Sequence, residues 1–198
     1  MSFDSAVAAS NDLADATREA VERAPQLDKF VAIFVASAAA RALGLHAGIV
    51  RETGWDNPHA VFAMLRAYVD LVLVTMEVGR HPAYAEVVAH DPATSAIGRR
   101  RKSPQKLVAA ALSEVPDIKE AWDLLSEMGG HFGHAAFATP MVVEDLADSW
   151  RVTVKTSPGW KDPEMKVASL RHTSHLTTLI AQKFREIVRA EAEPHRRP

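Results

Sequence analysis

Four ionisable residues fall on one line of the most apolar stretch of the chain. In PHAVFAMLRAYVDLVLVTMEVG, Pro58 to Gly79, the residues His59, Arg66, Asp70 and Glu77 are separated by seven, four and seven positions. At about 100° per residue these steps turn by roughly −20°, +40° and −20°, so on a helix the four side chains stack while the other faces stay apolar. Arg66 and Asp70, four apart, can pair on their own helix and fix its packing. Alternatively, an arginine and two carboxylates held out of water acquire shifted proton affinities and can bind an anionic or hydrogen-bonding ligand. A cavity beside the stripe would favour the second reading.

A second group lies in LLSEMGGHFGHAAF, Leu124 to Phe137. Ser126 and Glu127 sit near a helix end, Gly129 and Gly130 free the backbone, and His131 and His134 follow where a loop can aim both imidazoles at one point. A double glycine is equally an ordinary helix stop, with the histidines left on the surface. Serine beside histidine does not make a hydrolase here, because Ser126 lies in no strand-turn-helix elbow. His172 and His175 share a helix face three residues apart, as metal ligands often do, but no HExxH or ExxH accompanies them and no metal is assigned. The run Arg99 to Lys102, before the helix start Ser103-Pro104, can grip phosphate or simply be solvated.

The elements that must position these groups read as helices. The first, over residues 4 to 23, carries Val7, Leu13, Ala16, Ala20 and Val21 among many charges and is expected to pack loosely, as part of a loose segment 1–25. The second runs from Leu27 to about Thr53, with an alanine and glycine run (Ala36 to Ala40, Gly44, Gly48) suited to close helix approach and to a homodimer. Asp56 or Asn57 caps the third, with Pro58 at its first turn. Short helices follow around Tyr84, from Ser103-Pro104, and from Pro116-Asp117 to the Gly129-Gly130 stop, and a long last helix spans Pro163 to about Ala192. Val167, Leu170, either Ser174 or His175, Leu179, Ile180, Phe184, Ile187 and Val188 are its inward positions. Between 138 and 160 the helical period disappears; MVVED and WRVTVKT alternate, giving a small hairpin or an irregular arm near 140–158. Residues 193–198 are expected to fray.

The expected fold is therefore all-α: one domain, residues 1–198, a bundle of five to seven helices around the Pro58 helix. A net charge of −2 argues against a surface given wholly to nucleic acid. The absence of cysteine removes disulfides and thiol chemistry and suits a reducing compartment, so the cytoplasm is expected. The acidic N-terminus does not read as a signal peptide, and Arg66, Asp70 and Glu77 make Ala60 to Val78 costly in lipid; no membrane partner is expected.

The pair LRAYVDLVLVTMEV and LLSEMGGHFG resembles a group of uncharacterised bacterial helical-bundle proteins associated with the HEPN (higher eukaryotes and prokaryotes nucleotide-binding) superfamily of abortive-infection and toxin ribonucleases. Their shared pattern is an arginine and an acid in a buried helix, then a Ser-Glu…His helix end. The resemblance covers Arg41 to His134 and implies a catalytic site of Arg66, Asp70, Ser126 and His131, with RNA as partner. In it His131 would transfer the proton, Arg66 would hold phosphate and Asp70 would orient it. His59, Glu77 and His134 join as ligand-binding candidates. The superfamily's Arg-then-His ribonuclease signature has one literal match, Arg41 to His46 in RALGLH, but it falls inside the second helix. Five residues put those two side chains about 140° apart unless the helix breaks near Gly44. No cofactor is assigned. Two rivals stand beside an RNA-directed protein: a non-enzymatic structural or interaction bundle, and a helical metal or small-ligand binder.

Overall fold

The computed structural model describes residues 3–130, 141–146, 149–154, 159–160 and 162–192. It is an all-α bundle carrying one small hairpin. Helices α1 (Phe3–Arg23), α2 (Lys29–Gly54), α3 (Pro58–Arg80) and the long C-terminal α7 (Pro163–Ala192) pack on one another. The short α4 (Tyr84–Ala89) lies on α2, while α5 (Pro104–Ala111) and α6 (Ile118–Leu125) lie on α3. A π-helical turn, Ser126–Gly130, ends α6.

Local chemistry sets the boundaries. Asp28 Oδ1 accepts from the backbone N–H of Phe30 at 2.8 Å and so caps α2. Of the two candidates before α3 it is Asn57 that caps, accepting from the Ala60 N–H, with Pro58 in the first turn. Asp56 instead makes the tight reversal between α2 and α3 with φ of 55°, a left-handed conformation that aspartate tolerates better than most residues. Ser103 Oγ caps α5.

α3 is the centre of the bundle: Val61, Leu65, Tyr68, Val69, Val72, Leu73 and Met76 are all buried. α1 packs closely rather than loosely. Ala6, Ala9, Leu13, Ala16 and Ala20, spaced three or four apart, form its buried face against α7 and α2. Val7 and Val21, expected inward, are exposed, because the close approach of α1 selects small side chains for the contact. The alanine run of α2 divides similarly: Ala38 and Ala39 are buried, Ala36, Ala40 and Gly44 face out. On α7, Ser174 rather than His175 turns inward and Val167 is exposed. The most apolar stretch is α2 and not the Pro58 helix: among the described residues α2 is the one helix long and apolar enough to cross a membrane, and here it is packed against its neighbours.

Where an arm or hairpin was open, the chain forms an antiparallel hairpin, β1 (Met141–Leu146) with β2 (Ser149–Val154), in register from Met141↔Val154 to Leu146↔Ser149. The tail 193–198 lies outside the described residues.

Candidate functional site

The four-residue stripe of α3 divides among different partners. Arg66 and Asp70 pair, as their spacing allows, and both reach α6. The Arg66 Nε–H donates to Ser126 Oγ at 2.7 Å, the guanidinium lies 4.4 Å from the centre of the Trp122 ring, and Trp122 Nε1–H donates to Asp70 Oδ1 at 3.2 Å. Ser126 in turn donates to the Trp122 carbonyl at 2.6 Å. Arginine suits this role because its planar fork can stack and donate in plane at once. The Arg66 side chain is 15% exposed and that of Asp70 46%, so an incoming anion meets the carboxylate before the guanidinium.

Glu77 lies elsewhere. Only 1% exposed, it accepts from Arg80 at 3.1 Å and from Lys102, while Arg80 also reaches Glu114 at 2.8 Å and Lys183 of α7 joins Glu114 at 2.6 Å. A buried carboxylate needs such partners, and these tie α3, α7 and the segments flanking α5 together. The basic run is thereby split. Lys102 turns in to Glu77 and Arg101 donates to the carbonyls of Val88 and His90, while Arg99 and Arg100 point to solvent. His59 is half-exposed at the start of α3. His131 and His134 lie outside the described residues.

Arg41 and His46 do not converge, because α2 runs unbroken through Gly44. Arg41 is exposed, and His46 is buried in a cluster that the sequence did not announce. Its Nδ1 is 2.8 Å from Thr177 Oγ1, Tyr68 Oη is 2.8 Å from the same oxygen, and the Thr177 hydroxyl donates to the Thr173 carbonyl at 2.7 Å. Thr177 Oγ1 is thus the shared hydrogen-bond partner of Tyr68 and His46, the direction of the His46 contact following the imidazole tautomer. Burial pushes the Tyr68 hydroxyl up to about 12, the bond to Thr177 acting the other way. Burial also lowers the His46 pKa, against a hydrogen bond to the Ala6 backbone. The signal for this cluster was the series Ser169, Thr173, Ser174 and Thr177 on α7, spaced so that each hydroxyl can bond back one turn.

Beside the Arg66 group, on the adjoining face of α3, a cleft of about 350 Å³ opens between α3, α6 and α7. Phe62, Leu65 and Val69 form one wall, Ile118 and Leu125 a second, and Leu176 a third. Comparison with family models, with curated proteins and with solved structures finds no match for this chain. The functional reading therefore rests on the geometry. Among the described residues the polar groups of the cleft are few: Ser169, whose hydroxyl is bonded to the Met165 carbonyl, Asp117 at the start of α6, and His172 and His175 at the α7 rim. His172 is exposed on its outer side, yet desolvation by the surrounding wall lowers its pKa, followed by the charges of His175 and Arg171. Among the described residues no three histidines or carboxylates come together as a metal site.

Trp122 is the member of the Arg66 group that no motif in the sequence singled out. Its position one turn before Ser126 on the same face of α6 was the available signal.

Proposed function

We propose that the chain binds a small, largely apolar ligand in the cleft between α3, α6 and α7. The cleft itself carries this reading. Its volume lies at the small end of the range for ligand pockets, about 300–1,000 Å³, and apolar walls with a few convergent polar groups are their usual make-up. Leu124, exposed on α6, extends the apolar surface at its mouth. The Arg66 group serves the site indirectly, by fixing α6 to α3 so that the cleft keeps its width. The test is uptake of anilinonaphthalene sulfonate, read by fluorescence, in the wild type and in Ala168→Phe, which places a ring in the cleft. Strong uptake by the folded wild type and its loss in the folded variant are expected. Equal uptake by both would refute the reading.

One observation favours a second reading, action on RNA. Three of the four residues that the resemblance places in a common site, Arg66, Asp70 and Ser126, are joined across 60 positions by the Arg66–Ser126 bond. In that reading, alanine at Arg66 or His131 abolishes RNA degradation or toxicity while the circular dichroism of the fold is kept. Unchanged activity in both variants would dismiss it.

A further inference from the structure

Among the described residues that line the cleft, Asp117 carries the one formal charge. It occupies the N-cap position of α6, yet its carboxylate makes no capping bond there, and no other hydrogen bond or ion pair engages that side chain among the described residues. The carboxylate is exposed and open to a partner. On the α7 side of the mouth stand His172 and His175. Desolvation by burial, and after it the charges of His175 and Arg171, hold His172 below the ordinary 6.5, so at neutral pH this imidazole is uncharged and keeps one ring nitrogen as an acceptor. Arg171 does not line the cleft. It lines the adjoining hollow, where Asp162 and Glu164 outnumber it. The two hollows together carry three carboxylates against one guanidinium, so the field at the mouth favours a cation.

Resting on the reading of the cleft as a ligand site, we propose that its ligand is a single-chain primary amine, bound as the ammonium ion with its hydrocarbon in the cleft and its head at the mouth beside Asp117 and the histidines of α7. Charge complementarity decides the head. A carboxylate would meet Asp117 with no formal counter-charge in the lining, and an uncharged head would leave Asp117 unpaired. The acceptors decide between ammonium types, because a primary ammonium has N–H groups to give to a carboxylate and a neutral imidazole, and a quaternary one has none. The size of the cavity decides the tail, since a two-chain lipid exceeds a space at the lower limit of ligand pockets. With Asp117 at the water-facing edge, no charge has to enter the apolar interior.

The experiment is calorimetric titration of the full chain at neutral pH with hexylamine, octylamine, decylamine, decanol, decanoate and decyltrimethylammonium, each below its micellar concentration. Decylamine is expected to bind about two- to fivefold more tightly than decanol, the range for an ion pair at an exposed edge, with decanoate weaker than either. Affinity should rise by up to about fourfold for each methylene added from hexylamine to decylamine. Decyltrimethylammonium should bind less tightly than decylamine. Asp117→Asn should bring decylamine to the level of decanol, and Ala168→Phe should abolish its binding. If decanol, decanoate or decyltrimethylammonium binds as well as decylamine, or if Asp117→Asn keeps the preference, the assignment of the head group is overturned and the cleft reading stands. Decylamine binding that survives in Ala168→Phe places the amine elsewhere on the acidic surface and likewise overturns the proposal. If none of the amphiphiles binds, the proposal fails, and the cleft reading fails with it where the folded protein takes up no anilinonaphthalene sulfonate either.

Discussion

Replacing Thr177 by valine keeps the shape of the side chain and deletes one oxygen, which is the shared hydrogen-bond partner of two buried polar groups. Tyr68 and Thr177 are fully buried and His46 is 4% exposed, so water cannot replace the lost partner without entering the core. Each buried polar group left without its partner costs about 1–3 kcal/mol, so Thr177→Val should destabilise by roughly 2–6 kcal/mol with no cavity created. Tyr68→Phe removes one of the two groups but leaves the Thr177 oxygen with His46, and should cost only about 1 kcal/mol. The double variant no longer carries the stranded phenol. It should therefore be more stable than the sum of the single effects allows, by about 1–3 kcal/mol. Urea unfolding of the four proteins, followed by circular dichroism, measures all three quantities. If Thr177→Val and Tyr68→Phe cost the same within about 0.5 kcal/mol, or if the effects simply add, Thr177 is not the shared partner.

Three further outcomes are expected. The chain has two tyrosines, and in an ultraviolet titration Tyr68 should ionise at about 12 while the protein stays folded; a common midpoint for both near the free value of about 10 would contradict its burial. Gly98→Ala should destabilise by about 1–3 kcal/mol, because a Cβ there would lie 2.6 Å from the His90 carbonyl oxygen, whereas Gly44→Ala, in open space on helix α2, should stabilise by about 0.5–1 kcal/mol. Equal effects in thermal melts would refute that contrast. His46 and His172 both have folded pKa values below the ordinary 6.5, so the unfolded chain takes up protons first as pH falls. Their contribution is fully present above 6.5 and is lost as pH drops through the folded values. Glu114 adds a loss below 4.5: burial raises its pKa, but hydrogen bonds and charges from Lys183 and Arg80 outweigh it. Unfolding free energy that stays flat on acidification from neutrality would contradict the histidine assignments.

Helix starts were legible because their signals are local. Ser103-Pro104 and Asn57-Pro58 need only their own neighbours to cap and open a helix, and α5 and α3 begin where those residues stand. The Arg66–Asp70 pair was legible for the same reason, being set by a one-turn spacing. Partners from other helices were not. Trp122 and Ser126 meet α3 through the crossing of two helices, and no spacing within either segment encodes where that crossing falls. Valine-based reading of α1 failed on packing: hydrophobicity favours Val7 and Val21, but the helix approaches α7 closely enough that alanines make the contact. The cleft is a property of three helices at once, and its lining positions on α3 and α7 look in sequence like any other core stripe.

The division of the α3 stripe decides what Arg66 does. Glu77 is enclosed by Arg80 and Lys102, about 16 Å along the helix from Arg66, so the two groups do not share a site. Arg66 is engaged by Asp70, Ser126 and the Trp122 ring, all of which belong to α3 or to α6 and its terminal turn. A residue so placed holds a short helix of eight residues whose buried side chains are Ile118 and Leu125. Lysine at this position keeps the charge for Asp70 but cannot stack its plane on Trp122 while donating to Ser126. Arg66→Lys should cost about 1–3 kcal/mol, and the loss should be local. Hydrogen exchange should show reduced protection over Ile118–Leu125, with α1 and α7 unchanged, and anilinonaphthalene sulfonate uptake should fall as the cleft loses its α6 wall. Undiminished protection of α6 would mean that the arginine is not its clamp. A lysine variant that keeps α6 protected yet loses activity on RNA would move Arg66 from positioning to phosphate binding.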